Sequence, residues 1–124
     1  MGYTTDFRGR LELSKILTYE QLKEYKLFVD TRHEDGYTDK PSIWLQWEII
    51  NDGKEQYLEW DGSEKFYNYI EWIEYIIEHF FSKWGVDLNG VIQWRGEDWD
   101  DMGRIVVIDN EVNIDRQKEN IIYN

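Results

Sequence analysis

The sequence predicts an α+β domain: an antiparallel or mixed sheet of about six strands, element order β-α-β-β-α-β-β-β, with two helices packed on one face. Three observations predict it. Apolar residues alternate at period two in several short runs, two longer stretches shift to helical spacing, and glycine, asparagine and aspartate punctuate the runs.

Phe7, Gly9, Leu11 and Leu13 alternate with Arg8, Arg10 and Glu12, as in a strand with one buried face. Thr18 reads as a helix N-cap, with Gln21 three residues on to complete a capping box and Leu22, Tyr25 and Val29 on one face. A first helix is therefore expected from about Thr18 to Arg32. His33 to Pro41 carries Gly36, the only proline and four charged residues, and reads as a loop. Ile43, Leu45, Trp47 and Ile49 then alternate with Trp44, Gln46 and Glu48, and Asn51-Asp52-Gly53-Lys54 turns the chain into Gln56 to Trp60, giving a β-hairpin.

Asp61 offers a second N-cap with Glu64 at the third helical position, followed by Phe66, Ile70, Ile73, Ile77, Phe80 and Trp84 at helical spacing up to Gly85. Glu71, Glu74 and Glu78 occupy the opposite side, which is solvated. Leu88 to Arg95 and Arg104 to Asp109 read as strands around an acidic loop, and Asp109-Asn110 can turn into a last strand at Val112 to Ile114. The single domain is expected over residues 1–115, with a frayed tail at 116–124.

Composition narrows the function. A chain of 124 residues suffices for one core, and its 7 Trp, 9 Tyr and 5 Phe concentrate apolar area in large side chains. There is no cysteine, hence no disulfide, thiolate zinc site or thiol nucleophile. The start lacks the pattern of a secretory leader and no stretch has the length of a membrane span, so a cytoplasmic location without membrane attachment is expected. The formal charge of −12 repels phosphate backbones, which argues against direct nucleic-acid binding and suits a basic protein partner or plain solubility.

Chemistry has few places to sit. Glu97, Asp98, Asp100 and Asp101 supply hard oxygens of the kind calcium or magnesium takes, without the spacing of a calcium loop. Glu48 and Glu59 can face each other across the hairpin near Trp44 and Tyr57, as paired carboxylates for acid-base work must, although carboxylates on an exposed sheet face are far commoner and cross-strand pairing with Arg8, Arg10 or Arg95 accounts for them. His33 and His79 have no ligand or nucleophile partner in the pattern, and His79 suits a helix C-terminus. No nucleotide, zinc or nucleophile motif occurs, so no cofactor, metal or catalytic residue is assigned. If the outer sheet face is open it displays Arg8, Arg10, Trp44, Gln46, Glu48, Tyr57, Glu59, Gln93 and Arg95. Tyr67, Tyr69, Trp72, Tyr75 and Trp84 exceed what one helical stripe buries, so some of them either pack on the first helix or form a contact surface. The partner-binding set expected from these features is Trp44, Gln46, Glu48, Tyr57, Glu59, Arg95, Glu97, Asp98, Trp99 and Asp100.

The stretches Met1 to Phe7 (M-G-Y-T-T-D-F), Glu59 to Tyr67 (E-W-D-G-S-E-K-F-Y), Trp84 to Gly90 (W-G-V-D-L-N-G) and Gly96 to Gly103 (G-E-D-W-D-D-M-G) form a pattern. It resembles a group of small acidic proteins of phages and bacterial mobile elements. Two departures are a shorter segment before Trp44 and Val91-Ile92 in place of a more acidic pair. The resemblance implies a mobile-element setting and no particular chemistry. Three functions follow as expectations: a non-enzymatic module that binds and inhibits a host defence or nucleic-acid-handling protein, a metal-dependent or carboxylate-based hydrolase, and a structural or assembly subunit.

Overall fold

The computed structural model describes residues 2–33 and 40–116. The chain runs β1 (Asp6–Leu13), α1 (Tyr19–Val29), β2 (Trp47–Asn51), β3 (Gln56–Trp60), α2 (Tyr69–Ile76) continuing into a π turn at Ile77–Phe81, then β4 (Leu88–Arg95), β5 (Met102–Ile108) and β6 (Glu111–Arg116). The six strands form one sheet in the spatial order β2-β3-β1-β4-β5-β6, and every neighbouring pair is antiparallel. The sheet is thus antiparallel throughout rather than mixed. The centre is the β1–β4 pair, in register from Asp6↔Arg95 to Leu13↔Leu88.

One side of the sheet is apolar because alternate residues share a face. Leu58, Leu11, Ile92, Ile105 and Val107 lie there together with Trp47, Leu88 and Trp94, and both helices pack on it, α1 through Tyr25 and α2 with its π turn through Trp72, Ile73, Ile76, Ile77, Phe80 and Phe81. Trp47, Trp72 and Trp94 are fully buried. At roughly 25 cal/mol per Å² over about 150–250 Å² per ring, each contributes roughly 4–6 kcal/mol of gross hydrophobic stabilisation. Their polar atoms are met: Trp47 Nε1 donates to the Tyr69 carbonyl at 3.0 Å, and Trp94 Nε1 to Asp101 Oδ1 at 3.0 Å. The Tyr25 hydroxyl donates to the Trp47 carbonyl at 2.7 Å, tying α1 to the edge strand.

The α1 start follows the sequence: Thr18 accepts from the Gln21 N–H, and the Gln21 side chain accepts from the Thr18 N–H. The helix stops at Val29, three residues short of Arg32. The second helix begins at Tyr69, well after the expected Asp61 cap. Asp61 instead accepts from the Ser63 N–H at 2.8 Å, forming a local turn, and Lys65 and Asn68 take left-handed backbone conformations that no helix continues through. Phe66 is buried from this loop, not from a helix. Of the aromatic residues beyond the expected stripe Trp72 is core, whereas Ile70 and Trp84, both expected on the stripe, are only partly buried. Gly85 ends the element with φ of 69°, after the Val86 N–H closes back on the Phe81 carbonyl.

The hairpin turn at Asn51 to Lys54 and the Asp109-Asn110 turn form where expected, the latter with φ of 48° and 70°. β2 is shorter than its alternation suggests, starting at Trp47. β6 is longer and carries Arg116 in register with Gly103, so the ordered sheet extends one residue past the expected boundary at 115. The expected tail beyond Arg116 and most of the expected 33–41 loop lie outside the described residues. No helix is long and apolar enough to cross a membrane among the described residues.

Candidate functional site

The expected partner-binding residues do not share one open sheet face. Gln46 is buried, 7% exposed, because it knits a loop: its Nε2 donates to the Glu64 carbonyl at 3.0 Å and its Oε1 accepts from Trp60 Nε1 at 3.2 Å. Trp44 precedes β2 and stands outside the sheet, 47% exposed. Tyr57 and Arg95 do lie on strands. Tyr57 is half-buried beneath the Arg10 guanidinium, 4.1 Å from its ring, and Arg10 also pairs with Glu55 at 3.1 Å. Glu48 and Glu59 are cross-strand partners in the β2–β3 register, as the hairpin reading requires.

Instead, the structure gathers several of these residues at one end of the sheet. β1 begins there opposite the end of β4 (Asp6↔Arg95), β5 begins there (Arg95↔Met102), and β3 ends there opposite the start of β2 (Trp47↔Trp60). The N-terminal segment and loops 61–68 and 96–101 therefore meet. Tyr3 joins them: its N–H donates to the Tyr67 hydroxyl at 3.2 Å, its own hydroxyl donates to Asp101 Oδ2 at 2.7 Å, and that hydroxyl accepts from the Asp98 N–H at 3.0 Å. The Thr4 N–H donates to Glu97. Tyr67 and Trp44 in turn line one cleft of 550 Å³ together with Pro41, Ile43 and Lys65. Trp44, Tyr67, Tyr3, Asp98 and Trp99 thus follow one another around a continuous rim.

This rim combines exposed aromatic rings with negative charge. Of the seven tryptophans only Trp44 and Trp99 are exposed, Trp99 by 72%, and Tyr67, which shares a cleft with Trp44, is 45% exposed. The two loops carry Asp61, Glu64, Glu97, Asp98, Asp100 and Asp101 against Lys65. Asp101 is a structural acceptor, holding both the Trp94 indole and the Tyr3 phenol, while Trp99 and Asp100 are exposed. Burial, and then the nearby Asp101, push the Tyr69 phenol up to about 12, so that ring stays neutral behind the rim.

A second feature adjoins the rim. A cleft of 410 Å³ opens between α1 and β2, and a neighbouring one of 440 Å³ shares Val29, Asp30 and Asp61 with it and runs on to Trp44 and Glu64. Glu48 lines the first. Burial raises its carboxyl above the ordinary value, and Asp61 and Glu59 raise it further.

Sequence reasoning missed Tyr3, Asp30 and Asp61 as site residues and placed Tyr67 only in a general aromatic surplus. Nothing local in the sequence marks them, since their roles depend on which loops the sheet order brings together. The aromatic surplus along α2 otherwise packs inward: Phe28 stacks on Tyr75 at 5.8 Å and meets Trp72 edge-on at 6.0 Å. His79 stacks on Tyr75 at 3.9 Å, and His33 is buried against Phe28 and Trp72. Among the described residues no three His, Cys, Asp or Glu side chains converge in a way that could hold a metal ion. No protein-family model matches the chain, and neither does any curated protein or solved structure.

Proposed function

We propose that this protein is a non-enzymatic binding module that occupies a basic protein surface through the aromatic and acidic end of its sheet. The observation that carries the reading is the placement of both exposed tryptophans, with Tyr67, on the same rim as the acidic loops. Tryptophan and tyrosine supply large rigid contact area, and surrounding carboxylates steer and select a cationic partner. The sequence pattern shared with small acidic phage and mobile-element proteins supports a cytoplasmic host target, a defence or nucleic-acid-handling protein whose own anion-binding groove is positively charged. Inhibition then works by steric and electrostatic occlusion.

The test is affinity capture of host proteins with the tagged chain at low and moderate salt, using wild type, Trp44→Ala with Trp99→Ala, and Asp98→Lys with Asp100→Lys. The expected result is a basic partner that both pairs of substitutions release and that salt weakens. No retained protein, or retention indifferent to both pairs, refutes the reading.

The carboxylate-based hydrolase reading keeps one observation in its favour, the raised Glu48 carboxyl in a cleft beside Glu59. It requires turnover that Glu48→Gln abolishes. Its metal-dependent version requires a rise in melting temperature with millimolar calcium, magnesium or manganese.

A further inference from the structure

We propose that the cleft between α1 and the edge strand β2 receives a long basic side chain, arginine or lysine, presented by an extended segment of the partner. That the partner is a protein rests on the function proposed above; the cleft's choice of a cation is testable without it.

Carboxylates are ordinary on an acidic surface, and Asp30 and Asp61 are exposed ones; Glu48, half-buried in the cleft, is the distinctive member. The cleft walls are apolar, built from Leu22, Val29, Ile49 and the Tyr25 ring, while Asp30, Glu48 and Asp61 stand among them. A hydrocarbon stem with a cationic head matches that division, the stem lying on the walls and the head reaching the carboxylates. Among the described residues the cation lining the cleft is Lys26, an exposed side chain that pairs with Asp30 at 3.3 Å. Glu48 makes no ion pair among the described residues, although it is half-buried. Lys26 favours the charged form of Glu48, but burial together with Asp61 and Glu59 outweighs it, and an incoming guanidinium or ammonium adds the positive charge that offsets them.

The shape of the surroundings fixes the form of the ligand. β2 is the end strand of the sheet, and the adjoining 440 Å³ cleft continues along it to Trp44. An edge strand pairs readily with an extended peptide. The exposed face of Trp44 at the far end can stack on a second cation of the same segment.

The experiment is an NMR titration of the full chain with acetyl-arginine amide, acetyl-lysine amide and the neutral isostere acetyl-citrulline amide. Saturable shifts are expected for the two cations, with affinities on the order of millimolar, confined to amides of the cleft-lining segments, residues 22–30, 47–51 and 61–63. Acetyl-citrulline amide should leave those amides unmoved. Glu48→Gln and, separately, Asp61→Asn, whose amide oxygen can still accept from Ser63, should each weaken the cations about threefold or more. Equal response to citrulline, shifts elsewhere, or indifference to both substitutions overturns the proposal. A captured partner that Trp99→Ala releases and Glu48→Gln does not would overturn the cleft and leave the docking rim standing. Cation binding with no captured partner would keep the cleft and remove the proposed function.

Discussion

Replacing Gly9 or Gly90 by alanine should be among the costliest small substitutions in the protein. The two glycines lie diagonally across the central β1–β4 pair, Gly9 opposite Ile92 and Gly90 opposite Leu11, with φ of +108° and +154°. A Cβ on Gly9 would stand 2.2 Å from the Val91 carbonyl oxygen, and one on Gly90 would stand 2.3 Å from the Arg10 carbonyl oxygen. Both obstacles are backbone atoms, so no side-chain rotation relieves them. The backbone conformation alone costs roughly 1–2 kcal/mol for a residue with a Cβ, and overpacking adds roughly 1–3 kcal/mol, about 2–5 kcal/mol together. For a chain of 124 residues, an unfolding entropy near 2.1 cal/mol/K per residue makes each kcal/mol about 4 °C, so melting should fall by roughly 8–20 °C. Gly53 separates the two contributions: its φ is +90° but nothing lies within 4 Å of its Cβ position, so Gly53→Ala should cost only about 1 kcal/mol. Urea unfolding of the three variants checks this. If Gly9→Ala and Gly90→Ala come within about 1 kcal/mol of Gly53→Ala, the close-approach argument is wrong.

Other consequences are simpler to state. Tyr25→Phe removes the buried donor to the Trp47 carbonyl and should destabilise by about 1–3 kcal/mol in the same assay, without altering near-ultraviolet signals of the distant Trp94. Asp101→Ala strips the acceptor from both Trp94 and Tyr3; a loss of about 1–3 kcal/mol is expected, with faster hydrogen exchange at the Thr4 amide, whereas Asp100→Ala should change neither. His33 gives a pH dependence: burial lowers its pKa from the ordinary 6.5, with Lys40 adding to the effect. The unfolded chain therefore binds the proton more readily, so the associated stability is complete above about pH 6.5 and declines as pH drops below it. Urea midpoints above and below that value should show a decline that His33→Phe reduces; a wild-type decline equal to that of the variant would exclude His33 as its source.

Strands and caps were legible where the signal is local. The alternation around Leu11 set β1, the run from Leu88 to Arg95 matched β4 end for end, and Thr18 with Gln21 marked the start of α1. The start of α2 was not legible because Asp61 and Glu64 mimic a capping box, while Lys65 has no local preference for the left-handed conformation it takes and a single Asn68 marks its own only weakly. Gln46 carries the polar parity of an exposed strand residue, yet the loop backbone at Glu64 and the Trp60 indole use it up. For the candidate site, Trp44, Asp98, Trp99 and Asp100 could be selected as residue types, but their juxtaposition could not. It depends on Tyr3 reaching both Tyr67 and Asp101, contacts between residues far apart in the chain.

The strand order also dictates when the molecule can form. β1 precedes the other five strands in the chain, but one of its neighbours is β3 and the other is β4, whose Arg95 pairs with Asp6. The β2–β3 hairpin and the β4–β5–β6 meander can each assemble from nearby residues, while the strand that clasps them together must wait for β4, about eighty residues further along. If closing that long loop limits the rate, substitutions in the β1–β4 seam should retard folding and those in the outer hairpins should mainly hasten unfolding, which folding and unfolding rates of such variants would check.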